Sequence, residues 1–213
     1  MMSFLNLCLA AGAMAILAAG GAQAAPLQFN FSGQVSAIIS NDSSGTFGLN
    51  FAVGNLVSGF WAFDSTAAEL IPGSGRYPAS FSATLNGKTF SGPAEYRIFD
   101  NSSSGDGFSA INETGTYTGP SLGPLLPRTF FIQFLGMPNS TIANLNLIAD
   151  PVALIPLSTP VAPHGFRLDN PDGTFGGLYF TISNVSRTPE PGTAVLMTAA
   201  LSALALWNRR RKQ

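Results

Sequence analysis

Side chains suited to chemistry are scarce in this chain of 213 residues. His164 is its only histidine and Cys8 its only cysteine, which excludes a multi-histidine metal site and a cysteine cluster. A Ser-His-Asp triad remains formally possible because serines and aspartates are abundant. His164 stands in the proline-rich sequence APHGF, however, and this context predicts a solvated loop histidine.

The segment DNSSSGDG carries Asp100 and Asp106, with serines at alternate positions between them. An EF-hand calcium loop needs a bidentate Glu at its twelfth position, where this chain has Ile111. Asn, Asp, Ser and Gly also form turns for backbone reasons alone. We therefore regard Asp100 and Asp106 as weak calcium candidates and predict neither a metal nor a cofactor.

Glycoside hydrolysis needs two carboxylates facing each other across a cleft. The body of the chain has three glutamates, none in a close acidic motif: Glu69, Glu95 and Glu113. We predict no enzymatic activity. Some aromatic side chains could stack on sugar rings, although at strand spacing they more often pack in a core; they are Trp61, Tyr77, Tyr96, Tyr117 and Tyr179. A carbohydrate-binding or adhesion module, calcium-dependent in one version, is the alternative function.

The elements that would position these residues are strands. LQFNFSGQVSAII places apolar or small residues on one face at a period of two: Leu27, Phe29, Phe31, Gly33, Val35, Ala37 and Ile39. LVSGFWAF repeats the pattern, and Asn86-Gly87 separates two further runs as a type I′ hairpin turn would. Four more candidates follow: AEYRIF, GFSAI, TFFIQFLG and GLYFTISNV. We predict an all-β domain over 25–186, a β-sandwich or jelly roll.

Two proline-rich stretches, GPSLGPLLPR and PVALIPLSTPVAPHG, are predicted to be connections or sheet-edge segments, because proline lacks the ladder donor. Residues 25–188 hold six basic and ten acidic side chains, a net charge of −4 with no basic cluster. This distribution argues against nucleic acid as a partner.

The first 24 residues are predicted to be a signal peptide. An apolar run is followed by GAQAAP, in which Ala22 and Ala24 are the small residues before a cut at Ala25. The segment before the run has no Lys or Arg, so a permanent amino-terminal anchor is the alternative. The small-residue site favours cleavage by signal peptidase.

The carboxyl end has three parts. A linker, 187–191, contains Pro189, Glu190 and Pro191, and an uncharged apolar segment, 192–208, follows it as a single transmembrane helix. The basic tail 209–213 then holds Arg209, Arg210, Arg211 and Lys212, which predict a cytoplasmic end by the positive-inside rule. The body would therefore lie on the periplasmic side of the inner membrane.

This order of Pro-Glu-Pro, apolar segment and terminal basic cluster resembles the PEP-CTERM sorting signal, which also occurs with an amino-terminal signal peptide. The stretch from Val57 to Gly92 is similar to a strand-loop-hairpin segment in uncharacterised proteins with this tail, Trp61 departing modestly from their pattern. The resemblance implies an exosortase-type membrane protease as a partner and an association with exopolysaccharide and biofilm. It also implies a membrane-anchored precursor that reaches the cell surface or the extracellular space after processing.

Overall fold

The computed structural model describes residues 26–42, 44–148, 150–158 and 164–188. In this part of the chain the residues form eight strands, a short helix and a 3₁₀-helix. The strands are β1 (Leu27–Ser40), β2 (Leu56–Phe63), β3 (Arg76–Leu85), β4 (Lys88–Phe99), β5 (Asp106–Asn112), β6 (Leu126–Met137), β7 (His164–Asp169) and β8 (Phe175–Arg187). The helices are α1 (Thr46–Asn50) and the 3₁₀-helix Val152–Leu157.

Each strand pairs antiparallel with the next, and β8 pairs with β1, so the sheet is a closed barrel. The prediction of an all-β fold is confirmed. The β-sandwich or jelly roll is replaced by one sheet closed on itself. The reason is the long β1–β8 ladder, which runs from Phe29–Arg187 to Ser40–Gly176 and removes both sheet edges.

The barrel interior is filled by aromatic side chains. Because successive residues of a strand point to opposite faces, every second position of each strand supplies a core residue. Phe81 and Phe130 stack with their ring centroids 4.0 Å apart, and Phe63 stacks on Tyr96 at 4.4 Å. The largest fully buried side chains are Trp61, Tyr96, Phe29, Phe47, Phe51, Phe81, Phe90, Phe108, Phe130, Phe166, Phe180 and Leu85.

The predicted alternation along β1 holds as far as Val35. Between Val35 and Ala37 the pairing with β8 shifts by one residue, which makes a β-bulge at Ser36. Beyond the bulge Ile38 packs against the core, whereas Ile39 is 44% exposed. The expectation that Ile39 lies on the core face was therefore wrong.

The predicted hairpin at Asn86-Gly87 is confirmed, since both residues have the positive φ that a type I′ turn requires, 47° and 74°. The first proline-rich stretch lies mainly in the connection before β6. The described part of the second contains the 3₁₀-helix, and its last two residues, His164 and Gly165, open β7.

Each end of the barrel is covered. At the end that holds the β1–β2 connection, α1 inserts Phe47 and Phe51, whose rings contact each other at 4.9 Å; we call it the plugged end. At the opposite end, which holds the first residue of β1 and the last of β8, the β6–β7 connection packs Ile142 and Leu145 against the core. We call this the terminal end.

Gly176 gives the Phe47 plug its space. A Cβ at Gly176 would lie 2.1 Å from Phe47 Cδ2, whereas a Cβ at the neighbouring Gly177 would meet Ile39 O at 3.4 Å, an ordinary contact. We predict that Gly176→Ala lowers the free energy of unfolding by about 1–3 kcal/mol through overpacking. Gly177→Ala should leave it unchanged or raise it by up to about 1 kcal/mol.

Urea denaturation of both variants measures this difference. Phe47→Ala should lower the free energy of unfolding less in the Gly176→Ala variant than in the wild-type chain. The reason is that it removes the ring with which the new Cβ at position 176 clashes. Additive effects of the two substitutions would contradict the packing of Phe47 on Gly176.

Candidate functional site

His164 is the first residue of β7 and not a loop residue as predicted. Its half-buried ring lies between Phe134 and Phe180, at centroid distances of 5.1 and 5.6 Å, and its Nδ1 accepts a hydrogen bond from Gln133 N at 3.1 Å. Burial lowers the pKa of His164 to about 4. These surroundings belong to a packed neutral histidine and place no serine hydroxyl or carboxylate against the ring in its described contacts.

The chain also spells the G-x-S-x-G pattern once, at Gly119–Gly123, with Ser121 as its serine. A nucleophile elbow requires a strand before the serine and a helix after it. Ser121 instead lies exposed in the β5–β6 connection at the plugged end and is followed by a turn, while His164 pairs with Phe180 partway along β8. The pattern is therefore a turn sequence in this fold.

The two calcium candidates lie in the β4–β5 connection and at the start of β5. Asp106 is fully buried, and its carboxylate accepts hydrogen bonds from Asn101 N at 2.7 Å and Ile142 N at 2.8 Å. Desolvation by burial raises its pKa, but these backbone N–H donors outweigh it and hold the pKa below its usual value. Asp100 accepts only a local bond from the Asn101 amide among its described contacts.

Asp106 is thus an anionic staple that joins the β4–β5 connection to the β6–β7 connection. Within the residues that the structure describes, no three His, Cys, Asp or Glu side chains come together as a metal-binding group. The sequence named Asp106 as a weak calcium candidate, and the structure shows its carboxylate bound to backbone N–H groups.

Glu95 and Glu113 both line a pocket of about 210 Å³ beside β4 and β5, but Arg97 lies between their carboxylates and pairs with both. Glu95 accepts both bonds of a bidentate pair from Arg76, at 2.6 and 2.9 Å, and a third from Arg97 at 2.9 Å. Arg97 also donates through Nη2 to Glu113 Oε2 at 2.7 Å. The Arg76 bonds first, and then those of Arg97, lower the pKa of Glu95, which is the reverse of what a general acid needs.

Glu69 has a separate role in the β2–β3 connection. Its carboxylate accepts hydrogen bonds from Gly73 N and Gly75 N, the second at 2.9 Å. Glu95 and Glu113 therefore form ion pairs on the outer barrel surface, and Glu69 stabilises a loop. Their described contacts do not join any two of them as a general acid and a general base.

Four of the five aromatic sugar-stacking candidates are core residues. Trp61 and Tyr96 lie inside the barrel. Tyr77 donates its hydroxyl to Leu145 O at 2.9 Å, and Tyr117 donates to Arg167 O at 2.8 Å. Tyr179, half-buried on the outer face of β8, is the fifth and borders a groove.

This outer groove crosses β6, β7, β8 and the end of β1 and has a volume of about 370 Å³. Its surface side chains are Ile39, Thr129, Phe131, Arg167, Phe175 and Tyr179. A volume of this size falls within the range of about 300–1,000 Å³ found for small-molecule sites.

Two glycines shape the outer groove in different ways. Gly165 pairs with Phe131 on one side and with Tyr179 on the other, and the Phe131 ring covers it. Gly177 pairs in the same way between Arg167 and Ile39 and lines the groove itself. The missing side chain of Gly177 therefore lowers the floor, and the missing side chain of Gly165 gives room to the Phe131 ring.

The polar side of the groove is an ion pair fixed on an aromatic ring. The guanidinium carbon of Arg167 lies 4.4 Å from the Phe175 ring centroid, a cation–π contact, and Arg167 Nε donates to Asp169 at 2.5 Å. Arg128 Nε lies 3.5 Å from the other oxygen of Asp169. The groove therefore offers hydrogen-bond donors and an acceptor beside its aromatic walls.

The two chain ends of the barrel lie side by side. Thr188 N donates to Gln28 O at 2.8 Å, and Asn30 Nδ2 donates to Thr188 Oγ1 at 2.6 Å. This terminal clasp, formed by Thr188, Gln28 and Asn30, ties the end of β8 to the start of β1. Residues 26 and 188 therefore lie at the same end of the barrel.

The predicted cleavage residues Ala22, Ala24 and Ala25 lie outside the described residues, as does the sorting motif at 189–191. The same holds for the predicted helix at 192–208 and the basic residues at 209–212. Within the described residues no helix has the length and apolar character needed to span a membrane.

Comparison with known proteins found no matching family model, no matching curated protein and no matching solved structure. The functional argument therefore depends on the geometry of the barrel and on the sequence motifs.

The depressed pKa of His164 predicts a pH-dependent stability. With a pKa of 6.5 unfolded and about 4 folded, the unfolded chain binds the proton first as the pH falls. The contribution of neutral His164 to the free energy of unfolding is therefore fully present above about pH 6.5 and is lost between pH 6.5 and 4. We expect the free energy of unfolding to fall by about 2 kcal/mol from pH 7 to pH 5.

His164→Phe, which keeps an aromatic ring at this position, should remove most of that slope in urea denaturation. His164 is the chain's only histidine, so few other groups titrate in this window. A slope that persists in His164→Phe would contradict the assignment.

The Asp106 staple predicts a large effect of a small substitution. Asp106→Asn removes the charge and turns an amide donor toward backbone N–H groups, so we expect a loss of about 2–4 kcal/mol in the free energy of unfolding. Asp100→Asn, the matched control, should change it by less than about 0.5 kcal/mol. Thermal denaturation with and without EDTA should give the same midpoint, and a calcium-dependent midpoint would argue for the calcium alternative.

Proposed function

We propose that this chain is an exported, non-enzymatic protein of the cell surface or extracellular matrix. Its signal peptide would be removed by signal peptidase, and its carboxyl end would act as a PEP-CTERM sorting signal for an exosortase-type membrane protease. Before processing the precursor would be anchored in the inner membrane with the barrel in the periplasm. We propose that the mature protein lies among exopolysaccharide, because the PEP-CTERM signal that its tail resembles is associated with exopolysaccharide production.

The observation that carries this proposal is the terminal clasp. Residue 26 follows the predicted signal cleavage site almost directly, and Thr188 immediately precedes the Pro-Glu-Pro motif. Because both residues lie at the terminal end, an amino-terminal and a carboxyl-terminal membrane segment would hold that same end near the membrane. The two predicted sorting segments are thus compatible with one barrel orientation.

The lack of an enzymatic role is supported by the surroundings of the reactive groups. His164 contacts aromatic rings, Glu95 is saturated by two arginines, and Asp106 binds backbone N–H groups. These three candidate acids and bases are therefore each engaged in structural contacts.

Intact-mass spectrometry of the surface-exposed protein tests the sorting proposal. We expect a chain that begins at Ala25 and has lost the segment from the Pro-Glu-Pro region to Lys212. In cells lacking the exosortase the carboxyl-terminal segment should remain, while the amino terminus is unchanged. A surface-exposed mature chain that still carries Arg211 and Lys212 would overturn the proposed processing.

A carbohydrate-binding or adhesion role is the second candidate. The outer groove favours it, because Tyr179 and Phe131 present ring surface beside the polar Arg167–Asp169 pair. Trp61 does not take part, since it is buried in the core. Loss of binding in Trp61→Ala would report on folding and could not identify a site.

A further inference from the structure

We propose that the outer groove binds a neutral polysaccharide segment, with one sugar ring on Tyr179 and hydroxyl groups of a neighbouring sugar on the Arg167–Asp169 pair. This inference rests on the second candidate function and names its site and ligand class. It is independent of whether the carboxyl tail is processed.

The length of the groove fits a linear ligand. It crosses four neighbouring strands, and three gaps at about 4.8 Å span about 14 Å. The residues come in two rows across the strands: Phe131 and Tyr179 on either side of Gly165, and Arg167 and Ile39 on either side of Gly177. The first row spans β6 to β8 and the second spans β7 to β1, so the rows overlap at the β7–β8 gap and together cross all four strands, as an extended chain of rings would require.

The two glycines give the ring access to the aromatic surfaces. A side chain at Gly165 would collide with Phe131, whose Cζ lies 2.2 Å from the site of a Cβ. With glycine there, the Phe131 ring can cover Gly165, and Tyr179 lies on the other side of this residue in the next strand. Flat ring surface at a half-exposed position suits the apolar face of a sugar, as it suits other aromatic contacts.

Charge compensation selects a neutral ligand over an anionic one. The Asp169 carboxylate lies 2.5 Å from Arg167 Nε and 3.5 Å from Arg128 Nε, so much of the positive charge in the groove is already paired. Farther along the plugged end, Asp172 and Asp42 add negative charge near the same turn; the side-chain and backbone hydrogen bonds from Thr174 lower the pKa of Asp172, and the Asp42 charge opposes them. A polyuronate would gain little from this balance, whereas hydroxyl groups can both donate to Asp169 and accept from Arg167.

The ordering of Arg167 supports a preformed site. The guanidinium is held between the Phe175 ring and Asp169, and the Arg167 carbonyl accepts the Tyr117 hydroxyl from the barrel interior at 2.8 Å. Because both backbone and side chain are fixed, little side-chain entropy remains to be lost on binding.

Affinity electrophoresis of the full-length protein in detergent tests the proposal. Native gels would contain a soluble neutral polysaccharide (hydroxyethyl cellulose, galactomannan or dextran) or polygalacturonate. We expect retardation by at least one neutral polymer, with an affinity that changes less than about twofold when salt is added, since no charge pair forms. Polygalacturonate should retard the protein less.

Two variants locate the site. Tyr179→Ala removes the stacking ring, and Gly177→Leu fills the floor without deleting a contact; each should weaken binding about tenfold or more. Tyr179→Phe keeps the ring and should retain most of the affinity. Phe60→Ala, which removes a half-buried ring from the outer face of β2, is the matched control and should not change the affinity.

Unchanged thermal midpoints would establish that Tyr179→Ala and Gly177→Leu still fold, and either variant that folds suffices for the test. The proposal is overturned if no neutral polymer retards the protein, if only polygalacturonate does, or if the folded groove variants bind as the wild type does. Mass spectrometry of the same strains separates the two proposals. Normal processing without binding rejects the groove alone, and groove-dependent binding with a retained tail rejects the sorting route alone.

Discussion

The pairing of β1 with β8 is the contact on which the rest of this structure depends. It converts a sheet with two exposed edges into a barrel, and so it protects backbone N–H and C=O groups that would otherwise offer a template for association. It also brings Gln28 and Asn30 to Thr188, which fixes where both chain ends leave the domain. The bulge at Ser36 in the same ladder turns Ile39 outward and so completes one wall of the outer groove.

Closing the sheet around so many phenylalanines decides where a ligand can be held. The stacked rings of Phe81 and Phe130, with Phe47 from α1 at one end, occupy the space that a wider barrel would leave for a small molecule. A binding surface must then be built from outward positions, which alternate with the core positions on the same strands. Gly176 and Gly177 show both uses in neighbouring residues: the first gives room to an interior ring, and the second lowers the floor of an exterior groove.

Local sequence patterns were sufficient to find every strand except β7 and to find the Asn86-Gly87 turn, because alternation and turn chemistry are properties of a few adjacent residues. Closure was not predictable in this way. Its residues, such as Phe31 and Val185, are far apart in the chain, and the same alternation would serve a sandwich. His164 was misplaced because neighbouring prolines hid a short alternating run in which Phe166 and Leu168 face the core. The sequence identified Tyr179 as an aromatic candidate, but only the register shows that it faces Gly165 on the outer side while Trp61 faces inward.

The outer groove and the terminal clasp lie at different positions along β8. Tyr179 and Arg187 are eight residues apart on this strand, which corresponds to roughly 26 Å at the rise of an extended chain. A ligand in the groove would therefore cross β6, β7, β8 and the end of β1 without contacting Gln28, Asn30 or Thr188. Binding in the groove and the pairing of the two barrel ends thus depend on different residues of the same strand.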